Sequence, residues 1–125
     1  LEAFRRRLGR GVGWRTEVPL PNAGDRRSWD GLAAVPPVRI GVEAETRARD
    51  SQELQRRLNG KRRDGAVDHV ILLLGDTRHN RQFLRSVGVG FRADFPVSGR
   101  EAMRALARSQ DPGGSAIVLL PVPRA

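Results

Sequence analysis

The first half of the chain arranges its apolar and polar positions as one short helix followed by three strands. The stretch "LEAFRRRLG" has apolar residues at helical spacing and a glycine at its end, which predicts a short helix. The stretches "GWRTEVPL", "RRSWDGLAAV" and "PPVRIGVEAET" predict strands, because their apolar runs are bounded by proline, glycine and other turn residues. Since their connections are short, we expect an antiparallel meander.

A basic helix is predicted to follow the third strand. Asp50 and Glu53 have the spacing of a capping box at the start of "SQELQRRLNGKRR". Leu54 and Leu58 form the narrow apolar stripe of this helix, and its other faces are basic. Such a helix either presents its basic surface to a polyanion or is simply solvated.

The second half of the chain predicts two buried strands and further helices. The run "AVDHVILLLGD" is almost continuously apolar, which is typical of a strand covered on both faces. The stretches "TRHNRQFLRSVG" and "SGREAMRALARSQ" have helical patterns, "FRADFPV" is predicted to be a short strand or extended segment, and "SAIVLLPV" is predicted to be the last strand. This order, αβββαβα(β)αβ, predicts one α/β domain over residues 1–125 with a central mixed sheet flanked by helices.

The third strand carries an acidic pair within "VRIGVEAETRARD". Glu43 and Glu45 are two residues apart, so on a strand their side chains point to the same side. Two carboxylates on one face repel each other, and covering them costs hydration energy. Either a cation neutralises the pair, or the two acids lie on the solvated face of an edge strand and pair with Arg39, Arg47 or Arg49.

The chain is strongly basic and contains no cysteine. Its formal net charge is +9, and Lys61 is the single lysine among 23 basic residues. A GC-rich genome accounts for arginine in place of lysine, but the excess of basic over acidic residues predicts a polyanionic partner, most simply nucleic acid. The absence of cysteine excludes disulfides and thiolate metal sites and suits a reducing, cytoplasmic location. No apolar run reaches the roughly 18 residues of a membrane span, so no membrane partner is expected.

The segment "GDTRHN", residues 75–80, follows the buried strand, where α/β proteins often place functional groups. His79 is a candidate general base or ligand there. The alternative is a structural role, in which Asp76, Thr77 and Asn80 cap the next helix. The glycine-rich "DPGGSA" lacks the Lys-Ser/Thr ending of a P-loop and precedes a strand, so it is interpreted as a turn.

The order of elements and the position of the acids resemble the PD-(D/E)xK nuclease superfamily, whose members have the restriction-endonuclease-like fold. Asp30 in "RSWDGL" matches the second-strand Asp of that family, and Glu43 in "VEAET" matches its third-strand Glu. Glu45 occupies the position of the usual family lysine, two residues after that glutamate. The resemblance covers most of residues 1–75 and implies a restriction-endonuclease-like αβββαβ core with additional C-terminal α and β elements.

The resemblance implies a divalent metal, Mg²⁺ or Mn²⁺, held by Asp30 and Glu43. Glu17 in "RTEVPL", or Glu2 in the first helix, would be the additional acid. Magnesium prefers carboxylate oxygens and retains several waters, one of which it can activate for attack on a phosphate. The expected activity is therefore that of a Mg²⁺-dependent endonuclease, a hydrolase of phosphodiester bonds.

The departure at Glu45 leaves the catalytic role of the family lysine open. Glu45 itself is a candidate metal ligand or water-orienting group. In some members of the family the basic residue has moved to the following helix, and here Gln52, Arg56 or Arg49 would take its place. A further alternative is a domain that has lost catalysis and only binds.

Nucleic acid, with DNA as the expected form, is the partner that the charge and the resemblance both imply. The residues expected to contact phosphate follow the acidic strand: Arg47, Arg49, Arg56, Arg57 and Lys61. A homodimer is a further expectation.

Two function classes compete with an active nuclease. One is a catalytically inactive nucleic-acid-binding or regulatory module of the same fold, and the other is a protein-interaction α/β domain whose charge is incidental. Because the chain starts at Leu1 without a methionine, we expect it to be a fragment of a longer chain. A DNA-binding helix-turn-helix region upstream would suit its arginine-rich start.

Overall fold

The structure is a computed structural model that describes residues 1–122, and it has an α/β fold in which helices flank a five-stranded mixed sheet. Residues 123–125, the end of the predicted domain, lie outside the described residues. Within residues 1–122, no helix has the length and apolar character needed to cross a membrane. In chain order the elements are α1 (Glu2–Arg5), β1 (Gly13–Pro19), β2 (Ser28–Val35), β3 (Val38–Glu45), α2 (Ser51–Asp64), β4 (His69–Gly75), α3 (Arg78–Ser86), α4 (Val89–Ala93), α5 (Gly99–Ala107) and β5 (Ala116–Leu120).

The five strands lie in the sheet in their sequence order, from β1 at one edge to β5 at the other. β1, β2 and β3 pair in antiparallel fashion, so the predicted meander is confirmed. β3, β4 and β5 pair in parallel, and the intervening helices form the crossovers that parallel strands require. β3 is therefore the central strand of the sheet, and the alternative that placed its two acids on an edge strand is wrong.

The sheet buries a hydrophobic cluster on each of its faces. On the first, the α2 face, side chains from α2, α3 and α4 cover alternate positions of β4; its members include Leu54, Leu58, Val70, Leu72, Leu74, Phe83 and Phe91. On the opposite α5 face, Phe4 of α1 and Leu106 of α5 cover Ile71 and Leu73. β4 is thus buried on both faces, as its continuous apolar run predicted.

The extended segment predicted over "FRADFPV" is wrong in its first half. Residues 89–93 form the short helix α4, and only Val97 makes an isolated bridge, to Ala116. Phe91 is buried and packs edge-on against Phe83, with ring centroids 6.0 Å apart. A helical turn places this ring over the α2 face, and burial of the ring outweighs the weak local preference for an extended chain.

The first helix is shorter than the pattern predicted and ends at Arg5. The backbone N–H of Gly9 donates to the carbonyl of Leu106 at 2.9 Å, which ties the following turn to α5. Phe4, one of the apolar residues at helical spacing in this stretch, is nevertheless fully buried on the α5 face.

Candidate active site

Asp30 and Glu43 lie at the edge of the sheet where β2 begins and β3 ends. The β2–β3 register pairs Gly31 with Val42, so Asp30 and Glu43 are the next residues along the two strands. At these positions, carboxylate oxygens accept the hydrogen bonds of main-chain N–H groups. The Asp30 N–H donates to Glu43 Oε1 at 3.4 Å, and the Ala44 N–H donates to Asp30 Oδ2 at 2.9 Å. The structure thus brings these two carboxylates together.

Lys61 of α2 provides the cation that neutralises Glu43. Its Nζ donates to Glu43 Oε1 at 2.8 Å and to the carbonyl of Ser28 at 2.7 Å, and it lies 5.7 Å from the centroid of the Trp29 ring. Glu43 is 2% exposed and Lys61 is 8% exposed. The pair is therefore a buried ion pair, and removing either partner would leave a buried charge without compensation.

Glu45 is neutralised in the same way by a second cation of α2. It forms a salt bridge with Arg57, which also lies 3.7 Å from the carboxylate of Glu53. The acids are two residues apart on one strand, and Arg57 and Lys61 are four residues apart on one helix. Both spacings keep side chains on a single face, so one face of β3 is matched by one face of α2. This pairing explains how two carboxylates are tolerated side by side at the end of the central strand β3.

Burial dominates the protonation of Glu43. Loss of hydration raises its pKa above the ordinary value of 4.5, and the nearby charge of Asp30 acts in the same direction. The hydrogen bond and charge of Lys61 lower the pKa but only partly offset the desolvation. A second cation near Glu43 would favour its ionised form.

The two candidates for an additional acid do not join Asp30 and Glu43. The β1–β2 register places Glu17 across from Asp30, but Glu17 is exposed and has a φ of 50°. Glu2 forms a salt bridge with Arg5, and that hydrogen bond lowers the pKa of Glu2 to about 2. Among residues 1–122, no group of three or more His, Cys, Asp or Glu side chains has the arrangement of a metal site.

The residues proposed to contact phosphate divide into two sets. Arg47, Arg49 and Arg56 are exposed, and none has a carboxylate within salt-bridge distance among the described residues. Arg57 and Lys61 are engaged by Glu45 and Glu43. The buried position of Lys61 differs from the expectation that this residue contacts phosphate. Gln52 is exposed in the first turn of α2, where its backbone N–H donates to the capping carboxylate of Asp50.

The loop that carries Arg47 and Arg49, residues 46–50, is held by the start of α3. The fully buried Asn80 accepts from the Ala48 N–H at 3.0 Å and donates to the carbonyls of Thr46 and Gly75. His79 Nε2 lies 2.6 Å from the Ala48 carbonyl. Arg47 and Arg49 thus belong to a loop whose backbone is held at Ala48, through both the N–H and the carbonyl of that residue.

The capping role predicted for "GDTRHN" is confirmed for Thr77, whose hydroxyl accepts from the Asn80 N–H at 3.1 Å. Asp76 does not cap α3 and forms a salt bridge with Arg81. The N-cap predicted at Asp50 is also present, and its carboxylate accepts from the backbone of Gln52 and Glu53.

Sequence reasoning placed Lys61 among the phosphate contacts and missed its role as the buried partner of Glu43. The predicted apolar stripe ends at Leu58, yet Leu54, Leu58 and Lys61 follow one another at the four- and three-residue spacing of a single helix face. The identity of the residue was a second signal, since it is the single lysine of a chain that otherwise uses arginine. A buried basic residue on that face requires an acid on the strand beneath it, and Glu43 is that acid.

Searches against models of protein families, curated protein sequences and solved structures gave no match to this chain. Membership of the PD-(D/E)xK superfamily, and the restriction-endonuclease-like core that it implies, therefore remain predictions.

Proposed function

We propose that this chain is a metal-dependent, nuclease-like domain that acts on DNA. The observation that carries the proposal is the meeting of Asp30, Glu43 and Lys61 at one edge of the sheet. An Asp, a Glu and a Lys at this junction are the residue types that the PD-(D/E)xK resemblance calls for. The lysine here comes from the following helix, α2, and lies well beyond the position that Glu45 occupies in sequence. The retention of one lysine in an arginine-rich chain suits a compact ammonium in a buried slot better than a bulkier guanidinium.

The donor atoms at Asp30 and Glu43 suit a hard divalent cation. The hydrogen bonds described above use Asp30 Oδ2 and Glu43 Oε1, and the second oxygen of each carboxylate has no hydrogen-bond partner among residues 1–122. Magnesium commonly binds through one or two carboxylates, with waters and substrate phosphates completing its coordination. When bound, such an ion activates a water and stabilises the charge that develops on phosphate.

Within this proposal each residue of the chain has a separate task. Asp30 and Glu43 hold the cation, and the main-chain N–H groups that bind their other oxygens fix their orientation. Lys61 holds Glu43 in place and adds a positive charge beside the phosphate that would be attacked. Arg47, Arg49 and Arg56 attract the DNA backbone and set its position.

The burial of the Glu43–Lys61 pair favours a second candidate function. Lys61 already neutralises Glu43 and is fixed by the carbonyl of Ser28, so the site is complete without a metal. In that case the domain would be a catalytically inactive DNA-binding or regulatory module. The exposed arginines serve both candidates equally, and only metal binding and cleavage distinguish them.

The proposed function is tested by a plasmid-nicking assay in the presence of Mg²⁺ or Mn²⁺, combined with the thermal stability of the protein at rising metal concentration. We expect nicking that stops on chelation, and a stabilisation of about 2.7 kcal/mol when the metal reaches 100 times its dissociation constant. Asp30→Asn should lose both effects, because it removes one of the two anionic ligands.

The matched control is Glu101→Gln, which removes one carboxylate from the exposed surface of α5. It should retain the metal-dependent stabilisation and the nicking of the wild type. An unchanged melting temperature at high metal concentration and no nicking of single-stranded, duplex or branched DNA would refute the nuclease proposal. DNA binding under those conditions would then support the inactive module.

DNA affinity should depend steeply on salt through the three exposed arginines. Each phosphate contact contributes about −0.9 to the slope of log affinity against log salt on duplex DNA. Replacing Arg47, Arg49 and Arg56 together by alanine should therefore make the slope less negative by about 2.7. Fluorescence anisotropy with one labelled duplex over a series of salt concentrations measures both slopes.

The control for this measurement replaces Arg100, Arg104 and Arg108 together by alanine. These are three exposed arginines on or beside α5. It removes the same net charge at a different surface, so a general effect of charge would appear equally in both variants. Equal slopes for the two triple variants would show that residues 47–56 do not form the DNA-binding surface.

A further inference from the structure

A cavity of about 350 Å³ lies between the loop of residues 46–50 and α3. It is lined by Ala48, Arg49, His79, Gln82, Phe83 and Ser86. Its volume is near the lower end of the range of sites for small organic ligands, roughly 300–1,000 Å³. Ala48 and Phe83 give it an apolar wall, and the other four residues supply polar groups of different kinds.

The hydrogen bonds within the cavity wall fix which groups remain for a ligand. The Ala48 carbonyl can only accept, so His79 Nε2 carries the hydrogen of their 2.6 Å bond, and Nδ1 takes no part in that bond. Ser86 Oγ donates its hydrogen to the Phe83 carbonyl at 2.7 Å, which leaves its lone pairs as acceptors. Among the lining residues, Ser86 Oγ is therefore a fixed acceptor, in addition to the adaptable amide of Gln82 and the His79 ring.

Arg49 adds a cation at the mouth of the cavity. Its guanidinium is exposed and has no salt-bridge partner within residues 1–122, and the loop that carries it is pinned through Ala48 by Asn80 and His79. A fixed loop lowers the entropy that a ligand must overcome on binding. A phosphate is the ligand group that a free guanidinium recognises best.

We propose that this cavity binds an unpaired deoxynucleotide, with its phosphate at Arg49 and its base against Phe83. The fixed acceptor Ser86 Oγ favours bases that carry an exocyclic amino group, namely adenine, cytosine and guanine, over thymine. The proposal rests on the proposed action on DNA, because DNA is the polyanion that would deliver such a nucleotide. It would give the domain a preference for DNA in which a base is free to leave the stack.

The test is a titration of the ¹⁵N-labelled protein with deoxynucleoside 5′-monophosphates, followed by the NMR signals of the His79 ring and the backbone. We expect dCMP and dAMP to bind about five- to tenfold more tightly than dTMP, the effect of one hydrogen bond. Arg49→Ala should weaken all three by about tenfold or more, since it removes a charged hydrogen bond. Ser86→Ala, an exposed position, should weaken dCMP and dAMP while leaving dTMP and 2-deoxyribose 5-phosphate unchanged.

Arg85→Ala is the matched control, because Arg85 is an exposed arginine of α3 outside the cavity wall. It should leave the affinity for dCMP within about twofold of the wild-type value. The proposal is overturned if no nucleotide shifts these signals at up to about 10 mM. It is also overturned if dCMP, dTMP and 2-deoxyribose 5-phosphate bind alike in wild type and Ser86→Ala, since the site would then recognise phosphate alone.

Failure of nucleotide binding at the cavity can be distinguished from failure of the proposed nuclease function. Nucleotide binding at the cavity without metal-dependent nicking would retain the cavity and refute the nuclease. Nicking that is unaffected by Ser86→Ala, together with no nucleotide binding, would retain the nuclease and refute the cavity.

Discussion

Lys61→Met should destabilise the protein by about 3–5 kcal/mol at neutral pH, the usual cost of leaving one partner of a buried ion pair alone. Methionine keeps most of the apolar stem that packs beside Trp29, so the loss is mainly that of the charge which neutralises Glu43. Chemical denaturation followed by circular dichroism measures the change. For a chain of this size the same effect would lower the melting temperature by roughly 10–20 °C.

Two variants separate the ion pair from other effects of the substitution. Arg62→Met removes a charge from the neighbouring, exposed position of α2 and should change the unfolding free energy by less than about 0.5 kcal/mol. The double variant Glu43→Gln/Lys61→Met removes both buried charges and should recover most of the lost stability. A double variant as unstable as Lys61→Met would show that packing, and not charge, accounts for the loss.

The pH dependence of Lys61→Met follows from the raised pKa of Glu43. Because this pKa is above 4.5 in the folded protein, the unfolded chain releases the proton first, and stability falls as pH rises from 4.5 through the folded pKa. Removing Lys61 removes the interaction that lowers the pKa of Glu43. The pH range over which stability falls therefore extends to higher pH, and the loss of stability across that range grows. The destabilisation should thus be small near pH 4 and reach its full size above the folded pKa. A destabilisation independent of pH would contradict the assignment to Glu43.

The order of the strands along the chain and the antiparallel pairing of the first three could be read from the sequence because each strand has a distinct pattern. Short turns join the first three strands, and the unbroken apolar run of β4 identifies a strand covered on both sides. The helix over residues 89–93 could not be read in this way. Five residues do not establish a helical period. α4 is stabilised because Phe91 is buried against Phe83 in the cluster of the α2 face, and most members of that cluster are distant from Phe91 in sequence.

The sequence also contained part of the candidate site. A spacing of two residues placed Glu43 and Glu45 on one face, and the meander placed Asp30 beside them. The partners of these acids were harder to predict, because they depend on how α2 is rotated over the sheet. Nearby arginines were considered as partners for β3, whereas the structure uses Arg57 and Lys61, which lie 12 and 18 residues away from their acids. Tertiary packing selects these two cations from the many in the chain.

The division of roles between Lys61 and Glu45 should be visible in cleavage. If the domain nicks DNA as proposed, Lys61→Gln should reduce the rate per folded molecule by about 10²–10³, the effect of losing one group that stabilises transition-state charge. Glu45→Gln should reduce the rate by less than about threefold, because its carboxylate is already bound by Arg57 and partly covered. The rates are measured by plasmid nicking under single-turnover conditions, and circular dichroism gives the folded fraction.

DNA affinity provides the internal control for this comparison, because a group that acts in the transition state lowers the rate far more than the affinity. Both variants should bind the labelled duplex within about threefold of the wild-type affinity. A large loss of rate in Glu45→Gln with little change in Lys61→Gln would reverse the assignment and make Glu45 the group that orients the water. Equal losses in both would indicate that the paired face of β3 and α2 acts as one unit, with neither cation separable from the acids that it holds.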